Sequence, residues 1–213
     1  MRIALGGSAA NPPQMSHRRL IESLLTCGDF DQVVWILSGS RSDKKYNIDP
    51  NHRVALTELI IDPVWKIKQG PFLTVRYDDV FGVNTPTIEW LEKYQSEYPD
   101  AKLFWYTGAD SIIPNPDWNG KCQIEKFWTR GRELMKNWSF LVVPRKGYLD
   151  PEKLRSSLPS NFNYRVLNID LPDIASSQIR QHIKSGKPID ELVNKHWINS
   201  PQARYIKKFE LYK

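Results

Sequence analysis

A three-layer α/β fold, with helices on both faces of a mostly parallel sheet, is predicted by three observations. Short continuous apolar runs alternate with amphipathic helical periods along most of the chain. Two of the helical periods open on an Asp-Pro or Thr-Pro pair, a start signal in which a side-chain oxygen caps the first turn and proline takes a position whose amide needs no partner. The first and fourth apolar runs stop at Gly-Gly and at Gly-Ala-Asp, which puts small and acidic residues at the carboxyl ends of strands, where open parallel sheets bind ligands.

In chain order, Ile3-Ala4-Leu5 reads as a strand ending at Gly6-Gly7, and His17 to Cys27 as a helix with Leu20, Ile21, Leu24 and Leu25 on one face. Val33 to Leu37 is apolar throughout, as a strand buried on both faces requires. A polar loop follows, then a helix from Asp49-Pro50 carrying Val54, Leu56, Leu59 and Ile60. Phe72 to Tyr77 alternates like a strand, and Thr85-Pro86 starts a helix that runs to about Tyr98. Leu103 to Thr107 and Phe140 to Val143 are further strands, and Tyr164 to Ile169 supplies a last one. Ser176 is expected to cap a helix bearing Ile179 and Ile183 that closes at Gly186, with short helices beyond Pro188.

The 213 residues suffice for one well-buried domain, 1–213, with 170–213 as a C-terminal helical subdomain. A formal net charge of +6 favours polyanionic partners, but the basic residues are scattered and show no nucleic-acid-binding signature, so a small phosphorylated ligand is expected and nucleic acid is not. Two cysteines, Cys27 and Cys122, fit a reducing, cytoplasmic setting. No segment reaches membrane-spanning length, so no membrane partner is expected; a homo-oligomer is left open. Gly6-Gly7-Ser8 lets backbone amides approach a phosphate, although glycines after a first strand also serve packing, and neither the dinucleotide G-x-G-x-x-G nor the P-loop ending is present.

Three blocks carry a family resemblance. GGSAANPPQMSH, with Asn11-Pro12 and His17, resembles the nucleotide-binding signature of the nicotinate and nicotinamide mononucleotide adenylyltransferases, except that Gln14 stands where that family has His or Thr and Ser16 where it usually has Gly. TGADS, residues 107 to 111, is similar to the family's Gly-Ala-Asp segment after its fourth strand. IASSQIR, residues 174 to 180, is similar to its Ile-Ser-Ser-x-x-Ile-Arg motif, with Ala175 in place of a small polar residue. SGSRSDK followed by His52-Arg53, TPTIEWL, and the tryptophan-rich stretch ending in Pro-Arg resemble further family segments.

The resemblance implies a Rossmann-like nucleotidyltransferase that moves an adenylyl group from ATP to nicotinate or nicotinamide mononucleotide by direct in-line attack and releases pyrophosphate. Such chemistry needs alignment of two polyanions and stabilisation of charge on phosphate oxygens, with no protein nucleophile. His17 is expected to contact ATP phosphates as an imidazolium donating from both nitrogens, Arg180 to grip the β- and γ-phosphates, Gln14 to donate to the α-phosphate, and Lys44, or equally Lys45, to add a cation. Gly6, Gly7, Ser8, Gly108, Ser176 and Ser177 complete the ATP site, with Asp110 on a ribose hydroxyl. Thr85, Thr87, Trp118, Trp128 and Arg145 are the candidates for the mononucleotide. Mg²⁺ is expected to arrive on ATP oxygens, with no protein metal site and no tightly bound organic cofactor. The alternatives are a nucleotide-binding protein impaired in catalysis through Gln14 and Ser16, a sister nucleotidyltransferase with another phosphate acceptor, and an RNA-binding protein.

Overall fold

The computed structural model describes residues 1–39, 48–65, 72–144, 158 and 160–213. Six strands, β1 (Arg2–Ser8), β2 (Gln32–Leu37), β3 (Phe72–Arg76), β4 (Lys102–Gly108), β5 (Ser139–Val143) and β6 (Tyr164–Val166), form one sheet in the order β3-β2-β1-β4-β5-β6. Every pairing is parallel. The helices are α1 (Met15–Thr26), α2 (Pro50–Trp65), α3 (Thr87–Glu97), α4 (Gln123–Phe127), α5 (Gly131–Asn137), α6 (Ser176–Lys184), α7 (Asp190–Asn194) and α8 (Ser200–Lys208).

The period of two in the strands divides the core. Ile3 and Leu5 of β1, with Val34 and Ile36 of β2, face α3, α4 and α5, whereas Ala4, Val33, Trp35 and Leu37 face α1 and α2. A third apolar cluster joins α6, α7 and α8 to Leu56 of α2. Strand order reverses between β1 and β4, which are hydrogen-bonded neighbours whose following connections lead to opposite sides. A crevice forms at the carboxyl ends of two such strands, so the fold alone directs a ligand to Gly7 and Ser8 of β1 and to Thr107 and Gly108 of β4.

Three expectations are adjusted. Helix α1 begins at Met15 because Gln14 is its cap. Strand β6 ends at Val166; Leu167 and Ile169 still pack into the core but outside the ladder. Ala175, not Ser176, occupies the cap position of α6, and the Ser176 hydroxyl reaches a different segment. Gly186 does take the left-handed conformation expected just past that helix, with φ of 74°. Cys27 is exposed and Cys122 buried, both free thiols, and no described helix is long and apolar enough to cross a membrane.

Candidate active site

The two glycines at the end of β1 have different reasons for being glycine. A Cβ on Gly6 would fall 2.1 to 2.5 Å from three ring atoms of Tyr106, whose hydroxyl donates to the Val34 carbonyl at 3.1 Å. Gly6 is thus buried against a neighbouring strand's side chain and does not border the cleft, which corrects its expected place in the ATP site. Gly7 has only ordinary contacts around its missing Cβ, the nearest at 3.7 Å, and its backbone is exposed to the cleft. The Ser8 hydroxyl accepts from Trp35 Nε1 at 2.9 Å.

The loop after β1 is fixed by partners distant in sequence. Arg53, 1% exposed on α2, donates through Nε and Nη2 to the Ala9 carbonyl at 3.1 and 2.7 Å and through Nη2 to the Ser38 carbonyl at 2.6 Å, tying the ends of β1 and β2 together. Tyr212 donates to Asn11 Oδ1 at 2.9 Å, and the fully buried Gln202 amide to the carbonyls of Pro13 and Leu56, both at 3.1 Å. Carbonyls of an irregular loop have no ladder partners, and these side chains supply their donors.

Where the loop enters α1, the Gln14 backbone N–H donates to His17 Nδ1 at 3.1 Å. Nδ1 is therefore an acceptor, the proton of the neutral ring sits on Nε2, and burial pushes the imidazole down to about 4. The ring stacks on Trp35 with centroids 5.5 Å apart. His17 thus presents one donor nitrogen, not the two-donor imidazolium expected from the sequence. The Gln14 amide donates to the Ile174 carbonyl at 2.6 Å, and this side chain is 6% exposed. One of its two amide N–H donors is thereby engaged by the chain that leads into α6, and the residue also lines the larger cavity.

Two cavities meet at His17. One, of about 320 Å³, is bordered by Gly7, Ser8, His17, Thr107, Gly108 and Asp110 together with apolar walls from Leu20, Val143 and Leu171. The other, of about 1120 Å³, is bordered by Asn11, His17, Ser176, Ser177, Arg180 and Lys184, among others. Ile174 also lines both. His17 and Arg180, 163 positions apart in sequence by subtraction of their numbers, therefore face one space. Arg180 Nη1 donates to the Asn11 carbonyl at 2.5 Å, which aims the guanidinium along the loop. The 3-10 turn Ala109–Ser111 carries Asp110 to the mouth of the smaller cavity.

The mononucleotide candidates are not gathered in this way. Thr85 donates through its hydroxyl to Asp79 Oδ1 at 2.6 Å and through its N–H to Oδ2 at 3.0 Å, and Trp90 Nε1 also donates to Oδ2 at 3.1 Å. Asp79, 4% exposed, thereby holds the loop before α3 in shape. Thr87 is the first residue of α3. Trp118 packs edge-on against Phe127 at 4.9 Å, and Trp128 packs on the core beneath α4 and α5. Among the described residues lining the two cavities, none of Thr85, Thr87, Trp118 and Trp128 occurs. Arg145, Lys44 and Lys45 lie outside the described residues. Sequence reading missed Arg53 and Asp79 as organising residues. Arg53 carried a signal, a cation inside an apolar helical period, and Asp79 carried none.

Comparison with known proteins agrees with this geometry. Residues 5–182 match the cytidylyltransferase-like family model. A probable nicotinate-nucleotide adenylyltransferase from Frankia alni is 31% identical over 211 residues, covering 97% of each chain. This chain belongs to the nicotinate-nucleotide adenylyltransferase family. A second member of that family, from Bacillus pumilus, is 26% identical over 99% of this chain and 98% of its own length. A Plasmodium falciparum nicotinic acid mononucleotide adenylyltransferase, solved in complex with NaAD, superposes with a TM-score of 0.78 at 22% identity, covering 99% of this chain and 97% of that one. The same protein complexed with APC gives 0.73 at 21% identity, covering 99% and 96%. These solved neighbours show that the nucleotidyltransferase fold is kept from end to end.

Proposed function

We propose that this chain adenylylates nicotinate mononucleotide. An oxygen of the mononucleotide's 5′-phosphate attacks the α-phosphorus of ATP in line, the bond from that phosphorus to the bridging oxygen of the β-phosphate breaks, and pyrophosphate leaves with the electron pair, giving deamido-NAD. The observation that carries this reading is that His17 lines both the cavity at the carboxyl ends of β1 and β4 and the adjoining cavity that it shares with Arg180. The names of the related proteins supply the acceptor.

In this reading the polyphosphate runs from the Gly7 amide past His17 Nε2–H to Ser177 and the Arg180 fork. Nitrogen donors aimed at the oxygens where charge accumulates stabilise the transition state without reorganising, which is the main contribution a protein makes to phosphoryl-type transfer. Asp110 accepts from a ribose hydroxyl at the smaller cavity. Mg²⁺ enters on phosphate oxygens, in keeping with its preference for phosphate and water ligands, and Asp110 and Asp173 are the carboxylates that border that cavity.

The test is to incubate the pure protein with ATP, Mg²⁺ and each pyridine mononucleotide and to measure pyrophosphate and dinucleotide together. Equal amounts of both with the nicotinate form are expected. ATP binding without either product would sink the assignment and favour a nucleotide-binding protein impaired in catalysis.

A further inference from the structure

The loop after β1 and the start of α6 are joined by four side-chain-to-backbone bonds that run in both directions. From the loop and α1, Gln14 Nε2 donates to the Ile174 carbonyl at 2.6 Å and Ser16 Oγ to the Pro172 carbonyl at 2.7 Å. From α6, Ser176 Oγ donates to the Pro12 carbonyl at 2.8 Å and Arg180 Nη1 to the Asn11 carbonyl at 2.5 Å. The Ser16–Pro172 bond lies in the wall of the smaller cavity, the Gln14, Ser176 and Arg180 side chains line the larger one, and Ile174 lines both, so the four bonds fix the walls of the two cavities against each other. Gln14 and Ser16 are the two positions at which the sequence departs from the motif it resembles, and both side chains are used here for the same purpose.

We propose that Gln14 and Ser16 are positioning residues that clasp the two walls of the phosphate cleft together before ATP binds. This rests on the adenylyl-transfer reading above. A segment such as 172–174, in no helix or strand, must be ordered against α1 before the amides and the guanidinium of α6 can face His17. Without a clasp, ATP would have to impose that order, and the ordering entropy would be subtracted from its binding free energy. With the clasp, the cleft is already formed, and the amide of Gln14 is committed to Ile174 and not to the reacting phosphate. The residues that touch ATP remain His17 and Arg180.

The measurements are kcat and KM for ATP in Gln14→Met and Ser16→Ala, together with hydrogen–deuterium exchange of the amides at 174–180 with and without a nonhydrolysable ATP analogue. Each variant is expected to raise KM for ATP about five- to tenfold, the effect of one lost hydrogen bond in a partly buried setting, with kcat within about twofold of the parent. Exchange at 174–180 is expected to accelerate in the free variants and to return to the parent's level when the analogue is bound. A fall in kcat with unchanged KM would show Gln14 touching the reacting phosphate and would overturn the proposal, as would unchanged kinetics and exchange. If Gln14→Met fails to fold, Ser16→Ala decides alone, since it removes only a hydroxyl. A parent that makes no dinucleotide refutes the adenylyl-transfer reading, and the exchange data with the analogue still decide the clasp.

Discussion

Replacing Gly6 with Ala should destabilise the fold by displacing the Tyr106 ring, which also lines the smaller cavity, and the structure gives the size of the effect. The new methyl would lie 2.1, 2.3 and 2.5 Å from Cε2, Cδ2 and Cζ of Tyr106, so the ring must move by more than an ångström. That ring is 6% exposed in the core between the sheet and α1, and its hydroxyl would lose the Val34 carbonyl. Overpacking costs about 1–3 kcal/mol and a lost buried hydrogen bond about 1 kcal/mol more, roughly 2–4 kcal/mol in all. For a chain of this length each kcal/mol moves the melting temperature by about 2–4 °C, so scanning calorimetry should show a fall of about 5–15 °C. The same substitution in a Tyr106→Val background, which lacks all three clashing atoms, should cost under about 1 kcal/mol. A Gly6→Ala protein that melts within about 2 °C of the parent, or a cost unchanged in the Val background, would refute the packing explanation. Gly7→Ala, whose methyl meets nothing nearer than 3.7 Å, is the internal control, with stability close to the parent.

Three other outcomes follow from the same geometry. His17→Ala and Arg180→Ala should each lower turnover by about two orders of magnitude, as loss of one oxyanion-type donor does; wild-type rates in steady-state assays of both would show that the phosphates bind elsewhere. Because His17 titrates at about 4 in the fold and near 6.5 when unfolded, the unfolded chain binds the extra proton between those values, so this contribution is fully present above about pH 6.5 and is lost as pH falls towards 4. Urea unfolding at pH 7 and 4.5 should show the parent losing about 2 kcal/mol more than His17→Gln over that interval, and equal losses would contradict the neutral ring. Arg53→Met should destabilise by about 3 kcal/mol, since the carbonyls of Ala9 and Ser38 would be left buried without donors, and an unchanged denaturation midpoint would show that water replaces the guanidinium.

What could be read from the sequence was set by local rules. Val33 to Leu37 lies in a strand buried throughout, and the period of Ile88 and Leu91 falls in α3, although the expected threonine cap does not form: Pro86 takes the cap position without a side-chain bond and the Thr85 hydroxyl goes to Asp79. Of the residues in the three resembling blocks, His17 and Asp110 line the smaller cavity and His17 and Arg180 the larger one. What escaped was decided by pairs distant in the chain. Gly6 is glycine because of Tyr106, and Gln14 is engaged by Ile174, and no local pattern announces a partner that is 100 or 160 residues away. The proton of His17 escaped for another reason: the Gln14 N–H that fixes Nδ1 as an acceptor belongs to a helix-cap arrangement with His17 at the third position.

The most direct check on the whole account is a crystal structure with a nonhydrolysable ATP analogue. The triphosphate should lie between His17 Nε2 and the Arg180 guanidinium, with Gln14 still bonded to the Ile174 carbonyl. A triphosphate seated away from both side chains would contradict it.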